Sequence, residues 1–296
     1  MHRLKRVTLD EGGDTVKRCA ASCRARARGQ PGRLRAREKR SYAQEVCVKA
    51  TGLAMQKAAM LRPGCRIGVA VSGGVDSFVL LKTLKIRQGI VPFPFEIMAL
   101  HCNPGFEPAA HAALAPWLAA EGIPGHVELT DHGPEAHSER NRKRSACFRC
   151  AWLRRKRLFD LCRQYRLTHL ALGHTADDLV TTFFLNLCRN GRVDGLAMRE
   201  SFFRGGLTLV RPLLLVEKKH VRAAARQWGL PVWENACPSA GHTARSSMEA
   251  SLRQLAADIP EARRSILRGL TRGQLGRHAG ADEAEPSRTD AGEECD

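Results

Sequence analysis

The strongest constraint on this chain is one stretch in its first third, residues 66–81, where a short apolar run meets a pair of glycines. Residues 67–71, Ile-Gly-Val-Ala-Val, suit a parallel strand that is covered on both faces. Gly73 and Gly74 follow, and glycine permits backbone angles and close approaches that a side chain would prevent. An apolar-periodic segment opens at Asp76 and Ser77. The stretch therefore predicts a buried strand, a tight turn and the start of a helix.

A turn of this kind suits an anion, most naturally a phosphate, because free amides and the helix dipole both place positive potential there. The spacing differs from the Walker pattern, since no Gly-Lys-Ser/Thr follows, and it also differs from the dinucleotide pattern GxGxxG. It matches Ser-Gly-Gly-x-Asp-Ser, which resembles the signature of the PP-loop ATPases, over residues 72–77. Six residues alone leave open an ordinary strand, turn and helix with a polar turn.

The charge of the chain favours an acidic partner. Its 296 residues carry a formal net charge of +18, and nucleic acid is the first candidate for such a bias. A membrane surface is the alternative, but no long apolar segment is present. The first eight residues lack the apolar core of a signal peptide, which predicts a cytoplasmic protein. In that reducing compartment, clustered cysteines indicate metal or redox chemistry rather than a disulfide scaffold.

The rest of the chain alternates between predicted strands and helices. Four more apolar runs, at 95–101, 125–129, 168–172 and 207–213, predict a doubly wound, mostly parallel, five-stranded α/β sheet. Such sheets bind ligands at the carboxyl ends of their strands.

By composition the chain divides into three regions. Residues 1–40 predict a disordered basic arm, which would either clamp nucleic acid or be a solvated tail. Residues 41–255 are the predicted PP-loop domain. Residues 256–296 predict a short helix and then, from about Gly273, a disordered acidic tail.

Two cysteines in a basic segment form the second motif. Cys147 and Cys150 have the CxxC spacing, which lets two thiolates hold one metal or one cluster. Flanking arginines and lysines lower thiol pKa and suit an anionic cluster or a phosphate backbone. The pair alone leaves open half a zinc site, a redox pair, part of an iron–sulfur site, or two unrelated cysteines at a helix start. Cys237 falls in a predicted loop, where a thiol has no packing role.

A third motif follows the fourth predicted strand. Gly173, His174, Asp177 and Asp178 place an imidazole and two carboxylates at the start of a helix. Such groups bind Mg²⁺ or orient ATP. The alternative is that an aspartate only caps the helix.

Together these landmarks resemble the tRNA 2-thiocytidine synthetase family of PP-loop ATPases. The likeness covers most of residues 41–255 and keeps five motifs in one order, which is far more specific than any one motif. The motifs are Ser72-Gly73-Gly74-Val75-Asp76-Ser77, Cys147–Cys150 with Leu153-Arg154-Arg155, Ala171–Asp178, Val210–Leu213 and Cys237.

The resemblance implies an enzyme that uses ATP to adenylate the C2 oxygen of a cytidine in tRNA, after which sulfur displaces AMP. It implies ATP, Mg²⁺ and a 4Fe–4S cluster held by Cys147, Cys150 and Cys237, with these cysteines and Asp76 in catalysis. The implied partners are tRNA and a sulfur donor, either a cysteine desulfurase or sulfide; a homodimer is left open and no membrane is expected. The implied nucleotide-binding residues are residues 72–77, Gly173, His174, Asp177 and Asp178.

Some residues depart from the family pattern. Val75 stands where the family usually has Lys, so one phosphate contact is missing, and Ser239 and Ala240 lie near the place of a further family cysteine. One alternative is another PP-loop enzyme resembling lysidine synthetase, in which an amine attacks the adenylated cytidine and the cysteines have no role. A second is a non-catalytic RNA-binding or redox-sensing protein on the same scaffold, which Val75 favours and the intact Asp76 disfavours.

Overall fold

The computed structural model describes residues 39–139, 141, 145–234, 236–239, 241 and 243–279, with side chains as far as Gly273. By internal contacts the chain divides into a unit over Met1–Ser41 and a unit over Tyr42–Asp296, and the second contains all elements named below. Almost all of the predicted basic arm, and residues 280–296 of the predicted acidic tail, lie outside the described residues. The domain boundaries at 40 and 255 stay predictions.

One sheet forms the centre of the described unit. Its strands are β1 Arg66–Ala70, β2 Glu96–Asn103, β3 Gly125–Leu129, β4 His169–Ala171, β5 Arg199–Phe202 and β6 Leu207–Val210. They lie in the order β3-β2-β1-β4-β6-β5; β5 pairs antiparallel with β6, and the other neighbouring pairs are parallel. The predicted mostly parallel α/β sheet is confirmed.

The sequence predicts five strands where the structure has six, and the strand it misses is β5. Residues 199–202, Arg-Glu-Ser-Phe, contain no apolar run, and their side chains alternate between exposed and half-buried. They form an edge strand that joins β6 through a tight turn, in which Phe203 and Arg204 take positive φ angles of 54° and 53°. An apolar run identifies strands covered on both faces, and an edge strand escapes that criterion.

Helices precede and follow most strands. They are α1 Tyr42–Lys57, α2 Val75–Gln88, α3 Leu114–Glu121, α4 His132–His137, α5 Ala146–Gln164, α6 Ala176–Asn190, α7 Lys218–Gln227, α8 Ala244–Asp258 and α9 Ala262–Ala279. The short helix α4 was not predicted, and α9 continues beyond Gly273, where the sequence predicts the tail to begin. Among the described helices, none combines the length and the apolar character that crossing a bilayer requires.

The core lies on both faces of the sheet. On one face α1, α2 and α7 pack against apolar side chains of β1 and β2, with Phe78 and Ile67 fully buried. On the other face Leu161 of α5 packs with Leu100 of β2 and Leu170 of β4. Burying each of these side chains stabilises the fold by about 2 kcal/mol. The strand ends are therefore held rigidly, which a site built on them requires.

The strand order places a cleft at one edge of the sheet. From β1 the chain moves outward to β2 and β3, and β4 then pairs on the other side of β1. The chain leaves β1 towards β2, at one end of the sheet, and leaves β4 towards β6 and β5, at the other end. A crevice therefore opens between these two connections at the carboxyl ends of the strands. Residues 71–74 and 172–175 form those two connections, and both carry a predicted motif.

Candidate active site

The first motif forms a tight loop after β1, here called the nucleotide loop (residues 72–77). Gly73 has a φ of +90°, which favours glycine, and a Cβ there would lie 2.2 Å from Cε2 of Trp233. The Ser77 hydroxyl donates to the Gly74 carbonyl at 2.8 Å and accepts from the Ser72 amide at 3.2 Å. These bonds fix the loop before any ligand is present.

The start of α2 in this loop is arranged to receive an anion. Gly74 is the residue before the helix, and no side chain caps the helix there. A Cβ on Gly74 would meet only the Ser72 hydroxyl, at 3.6 Å, so the space in front of the loop is open. Free amides and the helix dipole favour a phosphate in that space. Val75, where the family pattern has Lys, packs partly against the core, so its side chain is turned to the interior.

Asp76 is a half-buried carboxylate with one paired and one unpaired oxygen. Burial raises its pKa, while the Lys218 ammonium, whose Nζ lies 3.2 Å from Oδ2, acts to lower it. Its other oxygen, Oδ1, is buried and has no hydrogen-bond partner among the described residues. A buried acceptor without a partner is costly, and a carboxylate oxygen is the ligand that Mg²⁺ prefers. The residue therefore fits a Mg²⁺ ion carried with a nucleotide.

Gly173 brings the third motif against the nucleotide loop. A Cβ at this position would lie 3.1 Å from the carbonyl carbon of Asp76 and 3.1 Å from the amide nitrogen of Ser77. That distance is tighter than almost all Cβ contacts, so only glycine lets the loop after β4 approach the start of α2 this closely. The first and third motifs therefore belong to one site.

Asp178 proves to be a helix cap. It accepts from the Thr175 amide at 2.6 Å and from the Thr175 hydroxyl at 2.7 Å, and it also pairs with the Arg245 guanidinium. Burial alone would raise the pKa of Asp178, but the Thr175 amide and the Arg245 charge outweigh burial and lower it. The capping alternative therefore applies to Asp178, and its second oxygen faces Arg245.

Asp177 and His174 are both half-buried, and different partners hold them. Asp177 accepts from the Lys218 amide at 2.8 Å and pairs with the Arg263 guanidinium. The His174 Nδ1 accepts from Nε of Arg211 at 3.2 Å, and burial lowers the pKa of His174 to about 4. A neutral imidazole that is held in this way supports the loop after β4, whereas Asp177 remains beside the cleft.

The cysteines lie on two segments far apart in sequence. Cys147 and Cys150 occupy the first turn of α5, which the Ser145 hydroxyl caps by accepting from the Phe148 amide at 3.3 Å. Cys147 is exposed, Cys150 and Cys237 are half-buried, and all three are free thiols. Burial raises the pKa of Cys150, and the negative charges of Cys237 and Cys147 raise it further. Cys237 therefore interacts electrostatically with Cys150.

Helix α4 ties both cysteine segments to the same support. The Arg149 guanidinium, on the first turn of α5, lies 2.7 Å from Oε1 of Glu135 on α4. His137, at the end of α4, has its Nε2 2.9 Å from the Ser239 hydroxyl, two residues beyond Cys237. One short helix therefore contacts a neighbour of each cysteine segment.

The donor set can be tested against the candidate metals. In the described part of the chain, no three His, Cys, Asp or Glu side chains gather closely enough to hold a single metal ion. A tetrahedral zinc site needs four such ligands around one ion. A four-iron cluster binds its thiolates at different irons, so it does not require three donors around one point.

Trp233 joins the cysteine segment to the nucleotide loop, and sequence reasoning missed it. Its amide donates to the Gly73 carbonyl at 3.1 Å, and its ring packs edge-on against Phe78 and His101, with centroids 5.5 Å away in each case. Trp233 lies only four residues before Cys237. The space left between this ring and the end of β2 is about 10 Å³, which holds about one water molecule.

Three cations at the site were also given no role from the sequence. Lys218 lies five residues after the Val210–Leu213 motif of the family resemblance. This position was the only sign in the sequence that Lys218 belongs to the site. Arg263 lies in a helix with several other arginines, and Arg245 lies in a helix with two basic and two acidic residues, so nothing in their local pattern distinguishes them. Each of the three pairs with a motif aspartate: Asp76, Asp178 and Asp177 in turn.

A mostly parallel sheet with this loop after β1 and a carboxylate motif after β4 defines a PP-loop nucleotide-binding domain. The profile of the family described as PP-loop domain matches residues 49–246. A solved U34-tRNA thiolase from Methanococcus maripaludis has the same fold, with a TM-score of 0.63, 21% identity, and coverage of 82% of this chain and 81% of that chain.

Curated relatives identify one family among the PP-loop proteins. The tRNA-cytidine(32) 2-sulfurtransferase of Geobacter sulfurreducens is 34% identical over 223 residues, which cover 75% of this chain and 87% of the relative. The protein of that name from Geobacter metallireducens is 34% identical over 213 residues, covering 71% of this chain and 83% of the relative. The chain belongs to the family of the PP-loop tRNA-cytidine(32) 2-sulfurtransferases. The resemblance stated from the sequence motifs is confirmed.

Proposed function

We propose that this protein is an ATP-dependent tRNA sulfurtransferase that replaces the C2 oxygen of a cytidine with sulfur. The observation that carries the proposal is the attachment of the Cys237 segment to the nucleotide loop, through the Trp233 amide and the Gly73 carbonyl. An activity that needs both a nucleotide and thiolates accounts for this contact. The relatives from Geobacter are tRNA-cytidine(32) 2-sulfurtransferases, which supports cytidine 32 as the target here.

In the first step the cytidine C2 oxygen attacks the α-phosphorus of ATP, and pyrophosphate leaves. The amides at the start of α2 would hold the departing phosphates, because they are fixed and free of side-chain caps. Asp76 Oδ1 would hold Mg²⁺ and Lys218 would balance the second oxygen of Asp76. The step turns a poor leaving group, the carbonyl oxygen, into a good one.

In the second step the sulfur of hydrosulfide attacks C2, the bond from C2 to oxygen breaks, and AMP leaves with the oxygen and the electron pair. The proton of hydrosulfide is released, and no redox partner is needed when sulfide is the donor. Persulfide sulfur from a cysteine desulfurase would first need two electrons from a thiol reductant to become hydrosulfide. Cys147, Cys150 and Cys237 would hold a 4Fe–4S cluster, which when bound supplies an open position for sulfur. The sulfur donor is either sulfide itself or a cysteine desulfurase.

The test compares two cysteine variants of the full chain after anaerobic reconstitution with iron and sulfide. Cys237→Ser should lose bound iron and thiolated tRNA while keeping its affinity for ATP. Cys188→Ser is the matched control, because Cys188 is an exposed free thiol near the end of α6 and should change nothing. Iron analysis, ATP titration and mass spectrometry of tRNA nucleosides provide the readouts.

Each contrary outcome identifies an alternative. A cytidine that gains an amine instead of sulfur would establish lysidine-type chemistry. Unchanged tRNA from the iron-loaded wild type, with ATP and sulfide present, would favour a non-catalytic RNA-binding or redox-sensing protein. Full thiolation by Cys237→Ser would remove that residue from the cluster.

Two further expectations stay predictions of this proposal. A cytoplasmic protein should be recovered with the soluble cytoplasmic fraction when cells are separated. A homodimer should sediment at twice the mass of the 32.7 kDa chain.

A further inference from the structure

A groove of about 510 Å³ opens beside the active site, between α7 on one side and α8 and α9 on the other. Asp177 of α6 and Lys218 of α7 lie in its lining, so the groove is continuous with the cleft where the reaction takes place. Its far wall is formed by residues 249–257 and 262–266, which lie beyond the stretch matched by the PP-loop domain family. The groove is called the C-terminal groove below.

The charge of this groove is predominantly positive. Two carboxylates line it, those of Asp177 and Glu249, against five cations: Lys218, Lys219, Arg222, Arg253 and Arg263. Three of the cations have anionic partners, since Lys218 pairs with Asp76, Lys219 pairs with Glu217 and Arg263 pairs with Asp177. Among the described residues, no carboxylate lies within ion-pair distance of Arg222 or Arg253.

The two arginines stand on opposite walls of the groove. Arg222 is an exposed residue of α7, and its charge reaches Asp76, whose pKa it acts to lower. Arg253 is an exposed residue of α8. A guanidinium presents its donors as a planar fork that matches phosphate oxygens, so an arginine without a carboxylate is suited to a phosphate.

The chemistry of the lining favours a nucleic-acid backbone over bases or a free nucleotide. Among the residues that the structure describes, no aromatic side chain lines the groove, so they offer no surface on which a base would stack. The phosphates of ATP have their own place at the open start of α2. An RNA whose target base enters the cleft must continue beyond it, and its next phosphates would meet the nearest unpaired cations.

We infer that the C-terminal groove binds the sugar–phosphate backbone of the RNA substrate beside the target nucleotide, with Arg222 and Arg253 on its two walls. The inference rests on the proposed function for its choice of RNA. Contacts of this type position the substrate without reading its sequence.

The test removes both arginines in Arg222→Ala/Arg253→Ala and measures tRNA affinity at several salt concentrations. Two lost phosphate contacts should weaken binding about tenfold, and the slope of log affinity against log salt should become shallower by about 1.5. ATP affinity and bound iron should match the wild type. The loss should be equal for tRNAs that differ in sequence, because backbone contacts carry no sequence information.

The matched control removes two positive charges elsewhere, in Arg189→Ala/Arg204→Ala. Arg189 lies near the carboxyl end of α6, and Arg204 lies in the turn between β5 and β6. This control should keep both the affinity and the salt slope. Arg222→Lys/Arg253→Lys keeps the charges, so it should keep the slope while losing part of the affinity.

Three outcomes would overturn the inference: equal losses in the control, wild-type tRNA binding by the double alanine variant, or a loss of ATP affinity, which would make the groove part of the nucleotide site. Failure of the proposed function can be distinguished from failure of this inference about the groove. A wild-type protein that binds tRNA through the groove but never thiolates it would refute the reaction and leave the groove standing.

Discussion

The nucleotide loop and the cysteine segments are built in contrasting ways. The bonds within the loop join residues at most five positions apart, Ser72, Gly74 and Ser77. One longer bond, from the Trp233 amide to the Gly73 carbonyl, and two glycine contacts close it. The cysteine segments are held by polar contacts at the surface, from Glu135 to Arg149 and from His137 to Ser239. A nucleotide site that is complete before its ligand arrives thus adjoins a thiolate site that depends on distant partners.

The comparison also has an energetic side. Exposed ion pairs contribute about 0–1 kcal/mol, so the arrangement of the cysteines is weakly enforced without a bound group. The nucleotide loop is enforced by burial and by close packing against Trp233 and Gly173. We therefore expect changes in the loop to act on catalysis and changes around the cysteines to act on retention of the cluster.

The largest expected effect comes from Asp76→Asn, which would break the nucleotide side alone. A neutral amide lacks the charge that Lys218 balances and binds Mg²⁺ poorly, so the thiolation rate should fall about 1000-fold. Bound iron should stay at the wild-type amount. Asp160→Asn is the control, since Asp160 lies on α5 in a surface pair with Arg163. An Asp76→Asn enzyme with near-normal turnover would exclude Asp76 from the reaction.

The second effect is smaller and breaks the cysteine side alone. Glu135→Ala/His137→Ala removes both contacts of α4 with the cysteine segments, so cluster retention should fall about 10- to 100-fold. ATP affinity, measured on the protein without iron, should not change. Glu121→Gln is the control, because it breaks a comparable pair with Lys82, at 2.7 Å, on a different helix. Iron release at the wild-type rate would show that α4 is not what holds the segments together.

The smallest expected effect comes from a substitution that acts on both the nucleotide loop and the cysteine segments. Trp233→Ala removes the ring that packs on Gly73 and against Phe78, and an edge-to-face aromatic contact is worth about 1 kcal/mol. ATP affinity and iron retention should each fall about fivefold. Trp117→Ala is the control, because Trp117 packs on the same Phe78 ring, at 5.1 Å, without contacting the loop. If only one of the two properties changes, Trp233 does not link the sites.

Much of the fold follows from local pattern. The apolar run of β1 and the glycines after it predict a covered strand and a turn, and both are present, because a parallel strand must be apolar on both faces. The same criterion misses β5, whose exposed side chains need not be apolar, and α4, whose six residues are too few to show a helical period. Local pattern therefore finds the buried elements and loses the short surface ones.

The candidate site shows a similar division. The spacing of Ser72, Gly73, Gly74 and Asp76 indicates the nucleotide loop, and Gly173 and Asp177 indicate its neighbour. Sequence left the role of Asp178 open between metal binding and capping, and the Thr175 contacts show that it caps. Arg245 and Arg263 had no pattern to identify them, because an arginine on a surface helix looks the same in sequence whether or not it meets a carboxylate.

What the sequence by itself determined is the local chemistry: a phosphate-sized turn after a buried strand, a CxxC pair in a basic segment, and their order along the chain. What only the tertiary structure decided is which distant groups meet. The contact of Trp233 with Gly73, the contact of His137 with Ser239 near Cys237, and the pairing of Arg263 with Asp177 all join residues separated by dozens of positions. Short-range spacing is set by the geometry of one strand or one helix turn, whereas these meetings depend on how the whole sheet and its helices pack.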